Sequence, residues 1–316
     1  MKDAVRQLKA GETEGLGEDN AEELIEEEKS KELKEVIVKM KTRLDNRVID
    51  LRTPANQAIF RLQSAICQLF REYLYTVDFI EIHTPKLIGG VSEGGTEVFR
   101  LDYFGKEACL AQSPQLYKQM AIMGDLNRVF EIAPVFRAEN SHTHKHMTEF
   151  VGLDIEMAIK EHYFEVLEVI GNLFFYIFKG LNERFSKLLG AIQTQYPHEP
   201  FLFSEKPLWL TYEEGIAMLH EDGFEQESDA DLGAAAEKRL GKLVLDKYKT
   251  DFFILHRYPI EARPFYTMLC KDDPKWTCSY DIFMRGEEIT SGAQRLHDIE
   301  LLTSRAKECG IPILTL

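Results

Sequence analysis

Val135-Phe136-Arg137-Ala138-Glu139-Asn140-Ser141-His142-Thr143-His144-Lys145-His146-Met147-Thr148-Glu149-Phe150 is the most informative stretch of the chain. Residues 129–139 and 149–158 both read as strands, and the polar segment 140–148 joins them. The stretch therefore predicts a hairpin whose loop carries three histidines and a lysine. Arginine in the middle of a half-buried strand is costly unless something anionic meets it. Glu139, two residues on, is expected on the same face, because strand side chains alternate. A cation and a carboxylate on one face, beside that loop, could serve a polyanionic ligand. An internal Arg137–Glu139 ion pair next to a solvated loop accounts for the same residue types equally well.

Working outward, Thr53-Pro54 is an N-cap followed by proline at the first helical position. Ile59, Leu62, Ile66, Leu69, Phe70 and Leu74 then recur at helical spacing, which predicts an amphipathic helix over 54–76. Residues 79–84 alternate like a strand that Pro85 helps to end. Downstream, 163–185 reads as a long helix, and Thr211-x-x-Glu214 is a capping box opening a helix that stops near Gly223. Residues 251–257, 265–270, 278–285 and 288–291 read as strands, and 298–310 as a capped helix with a glycine stop. Helices interspersed with consecutive strands predict an α/β (α+β) fold, a mostly antiparallel sheet flanked by helices and not a doubly wound one. No internal repeat, Walker A sequence or Gly-x-Gly-x-x-Gly turn is present. Residues 1–41 form a separate charged block, expected to be a linker that is partly helical or disordered, with one globular domain over 42–316.

The net charge of −15, from 38 basic against 53 acidic residues, argues against non-specific coating of nucleic acid. A local basic patch for RNA stays open. The five cysteines have neither Cys-x-x-Cys pairing nor zinc spacing, so they read as small buried or partly buried thiols in a reducing compartment. The polar start does not resemble a secretory signal, and no apolar run approaches the roughly 20 residues of a membrane span. A cytoplasmic protein without a membrane partner is the resulting expectation.

The order of the hairpin residues breaks the tie left above. Phe136-Arg137-x-Glu139, a polar loop and Glu149-Phe150 resemble motif 2 of the class II aminoacyl-tRNA synthetases. Phe79-x-Glu81-Ile82-x-Thr84-Pro85 after a long helix is similar to motif 1 of that family. Ser92-Glu93-Gly94-Gly95, the run from Gln112 to Gln119, Gly152 to Met157, and Gly286 to Arg295 look like its aspartate-specific branch, of eukaryotic type. The resemblance runs from about Thr42 to the last residue.

It implies ATP-dependent activation of L-aspartate to the adenylate, then transfer to the acceptor end of tRNA(Asp). Arg295 and Lys118 would hold the substrate's side-chain carboxylate, with Glu93, Ser113, Gln115, Asp154 and Ser291 around them. Arg137, the one catalytic candidate, would bridge the α-carboxylate and the α-phosphate. Glu139, Lys145, His146, Met147 and Phe150 would address ATP with Arg137 and Glu288. Glu288 and Ser291 would hold Mg²⁺, and Ser141, His144 and Lys145 would meet the tRNA. Pro85 would lie at the interface of a homodimer.

Two parts of the family pattern are not found in the sequence: an N-terminal anticodon-binding barrel and the glycine-rich, arginine-bearing motif 3. A core incomplete at its C-terminus, and adenylate formation far below the family norm, are expected on that basis. The competing readings are an asparaginyl enzyme, against which Lys118 weighs, an asparagine synthetase of the aspartyl-adenylate type, and a non-catalytic paralogue. His162, His220, His256 and His297 are read as structural, and Tyr163, Phe174, Phe178 and Phe185 as core.

Overall fold

The computed structural model describes residues 38–90, 98–140 and 147–311. In chain order its elements begin with α1 (Met40–Asp45), α2 (Arg47–Asp50), α3 (Pro54–Thr76), β1 (Ile80–Glu81), β2 (Leu87–Ile88), β3 (Arg100–Tyr103) and β4 (Lys106–Leu110). Then come α4 (Gln115–Met123), β5 (Arg128–Phe136), β6 (Glu149–Met157), α5 (Phe164–Arg184), α6 (Ser186–Gln195), β7 (Leu208–Thr211) and α7 (Tyr212–Glu221). The last are α8 (Ala234–Tyr248), β8 (Phe252–His256), β9 (Ser279–Met284), β10 (Glu287–Ala293) and α9 (Ile299–Glu308).

Contacts divide the described chain into two units, residues 38–64 with 184–199, and residues 65–183 with 200–311. In the first, Asp50 is the hub. It accepts from Arg43 at 2.7 Å and from Asn56 at 2.9 Å, and the Thr53 hydroxyl donates to its carbonyl at 2.7 Å. The Thr53 carbonyl accepts the first helical bond of α3 from the Gln57 amide, as the Thr-Pro pair predicts.

Among the described residues the second unit holds all the strands. β5 and β6 pair antiparallel from Arg128↔Met157 to Phe136↔Glu149, and β1 lies parallel to β5. A second sheet has the order β10-β9-β8-β7, antiparallel except where β7 meets β8. β2, β4 and β3 make a small third sheet. The mixed fold with mainly antiparallel sheets is the one the sequence predicts.

Three local expectations need correction. The strand foreseen over 79–84 shortens to β1, because buried Glu131 on β5 takes the Thr84 amide at 2.8 Å and the Thr84 hydroxyl at 2.7 Å. The strand foreseen over 265–270 is an irregular segment. Its amides are divided between a turn to Pro264, Gln294 and Trp276, leaving isolated bridges only. β5 stops at Phe136, and the Glu139 amide turns back onto the Arg137 carbonyl at 2.8 Å, so Glu139 does not share a strand face with Arg137.

The core around α7 and α8 positions the second sheet. Phe253 on β8 stacks on Phe283 of β9, with centroids 5.0 Å apart, and Leu219, Leu240 and Val244 close over them. Each such fully buried side chain contributes roughly 1.5–3 kcal/mol. Gly241 on α8 meets Gly286 so closely that a Cβ at 241 would sit 2.3 Å from the Gly286 Cα. That contact pins the β9–β10 turn, and with it the start of β10.

Candidate functional site

Lys118 organises one end of the site. It lies one turn into α4, where its side chain is 4 % exposed. Burying an ammonium is unfavourable unless partners surround it. Here its Nζ donates to Asp154 Oδ1 at 3.2 Å and to the Ile155 carbonyl at 3.3 Å, with Glu156 Oε2 at 3.7 Å. Gln115 donates to the same Glu156 oxygen at 2.8 Å. Asp154 and Glu156 lie two residues apart on β6 and so project from one face. Ser113, buried just before α4, accepts the Gln115 amide at 3.3 Å and holds the helix entry.

Gln115, Lys118, Asp154 and Glu156, but not Ser113, line a cavity of about 340 Å³ with Ser291, Arg295, Arg263, Tyr266 and Tyr280. Arg295 stands with its guanidinium 4.3 Å from the centre of the Tyr266 ring. The backbone on either side of it is tied down, since Gln294 accepts from Met268 and Leu296 donates to Tyr266, both at 2.8 Å. Three cations and two carboxylates around a small volume suit a small zwitterion carrying an extra acid.

Arg137 does not line the cavity. It follows β5 directly and keeps the ladder for one more step, its amide donating to the Thr148 carbonyl at 3.0 Å. Register then puts Arg137 on the face that carries Phe150, Asp154 and Glu156. Its guanidinium lies 5.6 Å from the Phe150 ring centre. Phe150 and Asp154 are four residues apart, about 13 Å at strand rise. A cation over an aromatic ring therefore occupies one end of a face, and the Lys118 cluster the other.

A second acidic group sits on the other sheet. Ser291 pairs opposite Asp281, and a bulge between Glu288 and Thr290 takes up one residue. Without it, Glu288 and Ser291, three apart, would project to opposite faces. With it, Glu288 and Ser291 share a face, and the Ser291 hydroxyl favours the charged form of Glu288. Burial, and then the neighbouring Asp281 charge, raise the Glu288 carboxyl above its ordinary pKa. Burial likewise raises Asp281, against the opposing pull of Arg263. Asp281 Oδ1 has no hydrogen-bond partner. Two mutually repelling carboxylates, a hydroxyl and an unsatisfied oxygen fit a hard divalent cation that completes its shell with phosphate and water. Among the described residues no cluster of three or more His, Cys, Asp or Glu could hold a metal by itself.

Of the other predicted positions, Glu93, Ser141, His144, Lys145 and His146 lie outside the described residues. Met147 is exposed. Pro85 is exposed between Thr84 and Lys86, both tied to Glu131. His256 is buried against the Tyr163 hydroxyl at 2.7 Å, and burial lowers its pKa to about 4. Cys109, Cys270 and Cys278 are buried, Cys67 is half-buried, and Cys309 is exposed, unlike the expectation for the set.

Lining or coordinating groups that were not foreseen as site residues include Glu156, Arg263, Tyr266, Tyr280 and Asp281. Asp281 had a readable signal, a lone acid inside the apolar strand Tyr280-Asp281-Ile282-Phe283. Arg263 had none, because it leads an irregular segment without periodicity.

Residues 39–312 match the family described as tRNA synthetases class II (D, K and N). The chain is 58 % identical over 275 residues to "Aspartate--tRNA ligase 1, cytoplasmic" of Arabidopsis thaliana, covering 87 % of the chain and 52 % of that protein. It is 58 % identical over 276 residues to "Aspartate--tRNA ligase, cytoplasmic" of Homo sapiens, covering 87 % and 55 %. The chain thus spans about half the length of the curated relatives it matches. Among solved structures, an aspartyl tRNA synthetase from Entamoeba histolytica superposes with TM-score 0.79 at 50 % identity, covering 89 % of this chain and 54 % of that one. The asparaginyl-tRNA synthetase from Pyrococcus horikoshii complexed with asparaginyl-adenylate gives 0.75 at 31 % identity, covering 88 % and 63 %.

Proposed function

The chain belongs to the class II tRNA synthetases of the D, K and N group, and from that premise we propose that it activates L-aspartate with ATP and passes the aspartyl group to tRNA(Asp). The observation that carries the choice of amino acid is the cation pair Lys118 and Arg295 on one small cavity. A neutral side-chain amide gives two cations nothing to neutralise, whereas a β-carboxylate does. Relatives named for aspartate at 58 % identity support the same reading.

In the first step the aspartate α-carboxylate attacks the α-phosphorus of ATP, and pyrophosphate leaves. Lys118 and Arg295 fix the side-chain carboxylate, while Asp154, Glu156 and Gln115 orient the lysine and receive the ammonium. Arg137, at the far end of the face, holds the α-carboxylate against the α-phosphate and offsets charge there, with Phe150 beneath the adenine. In the second step a terminal hydroxyl of the tRNA attacks the acyl carbon, and AMP leaves. Alignment of reactants alone is worth roughly 7–11 kcal/mol of a barrier, so no protein nucleophile is required. Glu288, Ser291 and Asp281 would hold Mg²⁺, which supplies charge neutralisation at the phosphates when bound. Residues 140–148 carry Ser141, His144 and Lys145 toward the acceptor end, a homodimer forms around Pro85, and the protein works in the cytoplasm. Among the described residues no helix is long and apolar enough to cross a membrane.

Isothermal calorimetry with L-aspartate and L-asparagine tests the reading. Aspartate should bind in preference, and R295K should weaken it by about tenfold or more, because lysine cannot copy a two-pronged contact. Unchanged aspartate affinity in both R295K and K118A would remove the pocket.

A further inference from the structure

We propose that Arg263 is a positioning residue for the cation that accompanies the nucleotide: it sets the Asp281 carboxylate and is not itself a ligand. The inference rests on the nucleotide reading above and deepens it.

Arg263 follows the short 3₁₀ turn Ile260–Ala262 and lines the cavity with a side chain only 13 % exposed. Two contacts fix its guanidinium. Nη2 donates to Asp281 Oδ2 at 2.5 Å, and the group lies 3.7 Å from the centre of the Tyr258 ring. Tyr258 is fully buried and packs in turn on Tyr212, with centroids 4.8 Å apart, so the platform beneath the guanidinium cannot swing. Asp281 is equally confined, being paired with Leu255 on β8 and Ser291 on β10. Only its side-chain torsions are left to set, and Arg263 sets them by claiming one oxygen.

The other oxygen, Oδ1, is buried without a hydrogen-bond partner, and the nearby Tyr258 hydroxyl favours the charged carboxylate. Glu288 repels the Asp281 charge. A carboxylate in that position, if untethered, would turn away from its like-charged neighbour. The guanidinium opposes that turn, and its planarity fixes direction as well as charge. Outer groups that orient metal ligands in this way typically govern about 10- to 100-fold in metal affinity.

The test is Mn²⁺ uptake by the full chain in the presence of a non-hydrolysable ATP analogue, followed by electron paramagnetic resonance. R263Q should bind Mn²⁺ about 10- to 100-fold more weakly than the wild type, a larger loss than any in its L-aspartate affinity, since Arg263 also lines the amino-acid cavity. R263K keeps the charge opposite Asp281 and should fold even where R263Q does not. Lacking the planar contact on Tyr258, it should bind Mn²⁺ more weakly than the wild type and more tightly than R263Q. Wild-type Mn²⁺ affinity in R263Q overturns the proposal. Should R263Q not fold, wild-type affinity in R263K overturns it instead. No uptake by the wild-type chain overturns the nucleotide reading and this inference together, so the two failures are distinguishable.

Discussion

Lys118 is buried, yet it stays tolerable because two acids from one strand face surround it, and that pairing leaves Asp154 and Glu156 preset for the ammonium of the proposed substrate. Arg137 has the opposite character, placed beside an aromatic ring at the end of a ladder. Its proposed contacts are made to the joined aspartate and nucleotide. R137K should therefore lower the affinity for a non-hydrolysable aspartyl-adenylate analogue by about 10- to 100-fold, the worth of a charge-assisted hydrogen bond. Affinity for free aspartate should fall by less, because only the α-carboxylate contact is made there. Equal loss for both ligands in calorimetry would show that Arg137 serves the amino-acid end. At this scale Arg137 was readable because a charge interrupts an apolar strand pattern, whereas Lys118 was reached only through the resemblance to class II synthetases. Asp281 obeyed the same rule and was passed over. Arg263 was not readable, because what places it is a stack on Tyr258 and an ion pair with β9, both made by folding.

The elements follow local chemistry where that chemistry is complete. Thr211 and Glu214 satisfy each other's amides at 3.2 and 2.7 Å, and α7 begins where the sequence says it should. T211A should cost about 1 kcal/mol in urea denaturation, with aspartate affinity unchanged. G241A is a different kind of change, since its Cβ has backbone at 2.3 Å and no flexible side chain to displace. It should cost about 1–3 kcal/mol and also weaken aspartate binding, because the displaced turn leads into the strand that precedes Arg295. Undiminished aspartate affinity in folded G241A would break that link. Elements with weaker local marks were missed. The β3–β4 hairpin turns through Phe104 and Gly105, both at positive φ, and only the glycine announces it. The segment 265–270 has a strand's composition but finds its partners singly, on two different stretches of chain.

For the molecule as a whole, His256 makes stability depend on pH. Its folded pKa of about 4 lies below the ordinary 6.5, so the unfolded chain takes up the proton first. The contribution is therefore complete above about 6.5 and is lost as pH falls toward about 4. The shift corresponds to about 3 kcal/mol. H256Q, which can still meet the Tyr163 hydroxyl, should lose less stability than the wild type between those limits, as read by urea midpoints. Parallel declines would mean that carboxylates alone set the slope. The nine paired positions of β5 and β6 carry a further implication. Residues can be added to or removed from the stretch joining the two strands without changing which side chains Arg137 and Asp154 accompany. The stretch proposed to greet a nucleic acid and the face proposed to perform the chemistry are thus free to drift at separate evolutionary tempos, joined but not synchronised.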